Sequence, residues 1–111
     1  MKPDFAKLRA EYGQLRKQLA ANGWISHGYV QDRGPGAGGP CYQWTRKERK
    51  KTVSVALSKE QYQAMKAASE NWRKVQQTLK RMEQISRLVI FGTLPDTRRR
   101  KPLTKHALGT N

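Results

Sequence analysis

SKEQYQAMKAASENWRKVQQTLKRMEQISRLVIF, residues 58–91, decides how the rest of the chain must fold. Its residues Met65, Ala68, Trp72, Val75, Leu79 and Met82 are spaced alternately three and four apart, which is the apolar seam of a helix that lies against another helix. Ser58, with Gln61 three places on, makes a capping box that starts the helix. Phe91-Gly92 and the following Pro95 end it. Beside the seam a cation recurs every seventh residue, at Lys59, Lys66, Arg73, Lys80 and Arg87, with Lys74 and Arg81 widening the row. At about 1.5 Å per residue the row is ~42 Å long, close to one turn of duplex nucleic acid. Lysine and arginine are also good helix formers, so the stripe reads either as a solvated face or as a phosphate track.

Composition bears on that choice. The 111 residues hold 23 Lys+Arg against 8 Asp+Glu, a formal charge of +15, and the pI is near 10.6. A small fold tolerates such self-repulsion more readily with a polyanionic partner, and nucleic acid is the first candidate. The excess is concentrated: residues 46–51 carry five bases and one acid, and so do residues 96–111. The mean hydropathy of -0.91 implies a modest core, with the seam open to a partner helix, either in a homodimer or in another protein.

Upstream of the helix, residues 41–45 and 52–57 alternate in polarity and are joined by Arg46, Lys47, Glu48, Arg49, Lys50 and Lys51. This predicts a β-hairpin with a basic tip. Period two puts Tyr42 and Trp44 on one face, and Val53, Val55 and Leu57 likewise, to pack on the long helix. The other face then offers Gln43, Thr45, Thr52 and Ser54. A two-stranded ribbon of this kind fits the major groove of B-form DNA, although lysine at a hairpin tip also blunts an exposed edge. Trp24 to Val30 reads as a first strand, and Arg33 to Pro40 as a glycine-rich connector that lacks the order of a phosphate-binding loop. Phe5, Leu8, Tyr12, Leu15 and Leu19 repeat the three-four spacing, so a first helix is expected from about residue 4 to 21. Asp4 would be its N-cap and Asn22-Gly23 its left-handed stop.

The fold class expected is therefore α+β: an N-terminal helix, a small antiparallel sheet of two to three strands, and a long C-terminal helix packing on the first. Residues 1–92 would form one domain and residues 93–111 a disordered basic tail, with Arg98, Arg99, Arg100 and Lys101 following phosphates. The single Cys41 and the distant His27 and His106 offer no metal site, no cofactor motif is present, and no apolar run approaches a membrane span. A reducing cytoplasm is the expected location. The eight acids are scattered, and the one cysteine with two distant histidines makes no triad, which argues against catalysis.

The block Gly39-Pro40-Cys41-Tyr42-Gln43-Trp44-Thr45-Arg46-Lys47, then Lys51-Thr52-Val53, then Ser58-Lys59-Glu60-Gln61-Tyr62, resembles a bacterial family of small uncharacterised proteins with the pattern G-P-x-Y-x-W-T-R-K, K-T-V, S-x-E-Q-Y. The resemblance covers roughly residues 5–90. Such proteins are met in several copies near transposase genes, which implies a mobile-element role and brings no activity with it. Many of them carry a cysteine-rich turn where this chain has Gly34 to Gly39, so no metal role carries over. Strands followed by a helix are also similar in architecture to the arm-binding domains of phage integrases and to the plant AP2 domain, which lay a sheet in the major groove; the long helix departs from both.

The function expected is a non-catalytic nucleic-acid-binding protein. Phosphate contacts would come from the hairpin, the helix stripe and the tail, and base contacts from Gln43, Thr45, Arg46 and Arg49. Duplex DNA is favoured, with structured RNA close behind. Trp24, Tyr29, Tyr42 and Trp44 are candidates to stack on bases, though alternation assigns at least half of them to the core. The alternative is a protein-binding accessory subunit of a transposase or ribonucleoprotein enzyme, paired through the seam.

Overall fold

In the computed structural model, which describes residues 3–36, 39–95 and 102–110, the elements run α1 (Phe5–Ala21), β1 (Tyr29–Gly36), β2 (Gly39–Glu48), β3 (Lys51–Leu57), α2 (Lys59–Thr93) and α3 (Lys105–Leu108). The class is α+β, as the residue pattern predicts. The chain divides into two compact units, one of residues 22–75 and one of residues 1–21 with 76–111. Arg98, Arg99, Arg100 and Lys101, expected in a basic tail, lie outside the described residues.

In the unit of residues 22–75, the three strands form an antiparallel sheet in the order β1-β2-β3. Tyr42 pairs with Leu57, Trp44 with Val55 and Arg46 with Val53, so these six share one face. That face meets the first turns of α2, where the rings of Tyr42 and Tyr62 stack with centroids 4.5 Å apart. The capping box forms in full: Gln61 N donates to Ser58 Oγ at 3.1 Å and Ser58 N to Gln61 Oε1 at 3.0 Å. The strand-to-helix junction is thereby fixed.

Two expectations for this region are corrected. Residues 24–28 do not form a strand, because α2 supplies the hydrogen bonds that a strand neighbour would. Asn71 Nδ2 donates to Trp24 O at 3.0 Å, Ser26 N to Ala68 O at 3.2 Å, and Ser69 Oγ to Gly28 O at 3.3 Å. The first strand instead begins at Tyr29 and uses Arg33 to Gly36, which were expected in a connector. Asp32 Oδ1 accepts from Gly34 N at 2.9 Å and Gly34 turns to φ 76°. The strand absorbs this as a register shift between Asp32 and Pro35, then pairs again at Pro35 with Pro40. At Gly28 the chain turns with φ 116° beneath the Trp44 ring, and an added Cβ would sit 2.9 Å from Thr45 O. Glycine is required there.

In the other unit, α1 packs on residues 76–93 of α2. Asp4 caps α1 as expected, accepting from Lys7 N at 3.1 Å. The stop differs: neither Asn22 nor Gly23 takes a positive φ. Phe5, Leu8, Tyr12, Leu15 and Leu19 are the half-buried apolar side chains of α1. Gly92 is not a terminator but a helical residue, since a Cβ there would lie 2.6 Å from the Phe5 ring. Dropping that side chain lets the two helices approach, and α2 continues to Thr93.

The seam of α2 also drifts. Ala68 and Val75 are buried and Met65, Trp72 and Met82 half-buried, but Leu79 is 41% exposed while Ile85, outside the predicted seam, is only 1% exposed. Past Val75 the helix belongs to the other unit, where its neighbour is α1 and its buried residues are Ile85 and, in part, Val89. Beyond residue 101 the described chain is ordered by α3: Thr104 caps it, Gly109 closes it at φ 73°, and Gln84 Nε2 holds Gly109 O at 3.0 Å. Residues 102–110 therefore differ from the expected disordered tail, because capping and α2 together satisfy their backbone.

Candidate nucleic-acid interface

Period two sorts the charges of the sheet. Between residues 29 and 57 the only acids are Asp32 and Glu48, and their pairing with Tyr42 and Lys51 puts both on the face toward α2. The outward face carries Tyr29, Gln31, Arg33, Gln43, Thr45, Lys47, Thr52 and Ser54, with no carboxylate. Thr45 lies between Tyr29 and Ser54, and its hydroxyl is 3.5 Å from that of Ser54. Gln43 lies opposite Gln31, and Arg33 NH1 donates to Gln43 Oε1 at 3.3 Å. The face is a row of donors and hydroxyls about three strands wide.

The hairpin tip is narrower than its composition suggests. Strands β2 and β3 run to Glu48 and Lys51, leaving a two-residue turn of Arg49 (φ 49°) and Lys50 (φ 68°). Positive φ at both central positions is the type I′ geometry that suits the twist of a hairpin. Arg49, Lys50 and Lys47 are exposed. Arg46, a candidate for base contact, is directed instead to the α2 side. Its guanidinium lies 5.6 Å over the Trp44 ring and pairs with Glu48. Lys51, opposite Glu48, shares that face.

On α2, Lys59, Lys66, Arg73 and Lys74 are exposed in the unit of residues 22–75. In the other unit Lys80 is exposed, but the last two cations of the row have internal partners. Arg81 grips Glu11 with two parallel hydrogen bonds, Nε to Oε2 at 2.7 Å and NH2 to Oε1 at 2.9 Å. Those bonds hold the Glu11 carboxyl below its ordinary range, and the same bonds raise Arg81. Arg87 donates to Leu108 O at 3.3 Å and reaches Glu83 at 3.4 Å.

The four candidate stacking aromatics divide evenly. Tyr42 stacks on Tyr62, and Trp44 donates Nε1–H to His27 O at 3.0 Å. Trp24 is 90% exposed and Tyr29 59%. Residue alternation did not single out Arg33, because the glycines after it read as a loop; its signal was the alternation of Gln31 and Arg33 about Asp32. Among the described residues no three His, Cys, Asp or Glu side chains gather as a metal site, and no helix is long and apolar enough to cross a membrane. Compared with protein-family models, curated proteins and solved structures, the chain matches none.

Proposed function

We propose that the protein binds nucleic acid, duplex DNA in preference, through the outward face of the β1-β2-β3 sheet and the Arg49-Lys50 tip. The observation that carries this reading is the segregation of charge: both acids of the sheet lie on the α2 side, so a polyanion meets amides, hydroxyls and cations and no carboxylate of the sheet. Lys47, Arg49 and Lys50 serve as phosphate contacts at the groove edges, and Lys59, Lys66 and Arg73 add to them. Gln43 and Thr45 remain base-contacting residues, whereas Arg46 serves the fold. A three-stranded sheet is wide enough to occupy a major groove of about 12 Å. The resemblance of residues 39–62 to proteins found beside transposase genes supports a role in a mobile element.

The test is a salt titration of binding to a fluorescent duplex. Lys47→Ala/Arg49→Ala/Lys50→Ala should weaken binding at least tenfold and lower the log-log salt slope by about 3, since each phosphate contact contributes about 0.9. Arg46→Ala should leave the slope unchanged. A triple variant that binds like the parent removes the hairpin from the interface.

A second reading, a protein-binding accessory subunit, is supported by Ile90 and Leu94, which are exposed at the end of α2 next to an apolar groove lined by Tyr12, Ile85 and Val89. Protein partners would be held there without dependence on salt.

A further inference from the structure

Resting on the DNA-binding reading, we infer that Arg33 and Gln43 form a single reading unit that selects guanine in the major groove. The two residues sit on adjacent strands, ten positions apart in the chain, and are joined by the Arg33 NH1 to Gln43 Oε1 hydrogen bond. Arginine has only donors, so the oxygen of the Gln43 amide must face Arg33 and its NH2 group must face away. The pair's open edge is therefore dominated by donors, the Gln43 Nε2 hydrogens and the remaining Arg33 N–H groups, with one of the two lone pairs of the Gln43 oxygen already taken.

A lone glutamine ordinarily reads adenine by donating to N7 and accepting from the N6 amino group. Here one lone pair of that oxygen is taken by Arg33, whose positive charge beside it disfavours the approach of a second donor such as the adenine N6 amino group. Guanine offers N7 and O6, two neighbouring acceptors in the groove, and matches a donor-rich edge. Arg33 thus decides what Gln43 reads. Gln31, across the pair from Gln43, is exposed and acid-free surface surrounds the unit, so no carboxylate of the sheet competes for the donors.

The experiment is selection from a randomised duplex pool with the full chain and with Arg33→Ala and Gln43→Ala, each checked for an unchanged melting temperature. Defined duplexes differing at the selected position are then titrated. The parent should favour guanine over adenine by about tenfold or more, the scale of one good bidentate contact. Arg33→Ala, which releases the Gln43 oxygen, should move the preference toward adenine. Gln43→Ala should weaken the guanine preference without any gain for adenine. Tight, salt-dependent duplex binding with no base preference, or a preference that both variants retain, overturns the reading unit and leaves DNA binding intact. Preference for hairpin RNA over duplex also overturns it, because the A-form major groove is too narrow to be read. Failure to retain any nucleic acid removes both proposals.

Discussion

Glu11 and Arg81 meet through two parallel hydrogen bonds, yet each side chain is still over a third exposed, at 40% and 38%. Solvent screening then holds the pair to about 1 kcal/mol or less. Its sign with pH follows from the direction of the Glu11 shift. The carboxyl is held below its ordinary value of 4.5 when folded, so the stabilisation is fully present above that value and is lost as pH falls through the lowered one. Glu11→Gln should therefore lower the urea midpoint at pH 7 and converge with the parent in acid. A gap that persists unchanged well below pH 4, a limit of roughly the ordinary carboxylate range, would mean that packing and not the charge is responsible.

At the scale of elements, the β2-β3 turn combines an expected geometry with unexpected residues. Type I′ turns favour Asn-Gly because both central positions need positive φ. Arg49 and Lys50 occupy them instead, at a cost of roughly 1–2 kcal/mol for each left-handed residue. Strain of this kind tends to be kept where a side chain has work to do. Arg49→Asn/Lys50→Gly should raise stability by about 1–2 kcal/mol in urea titration while weakening duplex binding. A variant no more stable than the parent would show that the tip is not strained.

The same turn marks the limit of what the residues disclose. Alternation in 41–45 and 52–57, the Ser58 capping box and the Asp4 cap could all be read locally, and each formed as expected. Arg49 and Lys50 give no turn signal, so the residues alone predict a six-residue tip that takes in Arg46, although period two places Arg46 with Tyr42 and Trp44. Gly34 and Gly36 read as breakers, whereas an Asx turn and a register shift keep that stretch in β1, and with it Arg33 was lost from view. Ile85 is buried where Leu79 is not, because residues 76–93 of α2 pack on α1 and a regular spacing does not say which neighbour each stretch of a helix meets. Local pattern carried the elements; partners distant in sequence decided which residues faced the interface.

For the molecule as a whole, a formal charge of +15 on 111 residues opposes the folded state. Raising sodium chloride from about 0.05 M to about 0.5 M shortens the Debye length from roughly 14 Å to 4 Å. The melting temperature should rise over that interval, and a short duplex at low salt should raise it further by binding the folded state alone. A fall with salt would mean that the few ion pairs outweigh the general repulsion. The sheet also has two outer strands, β1 and β3, whose free edges are templates for another strand. On β1 that edge is interrupted by the register shift and by Pro35, which has no N–H to offer. Among the described strands β3 carries no such interruption and is the better template for growth. Two sheets joined edge to edge there would leave blocked margins outside, so accretion of strands ends at a pair instead of running on into a fibre.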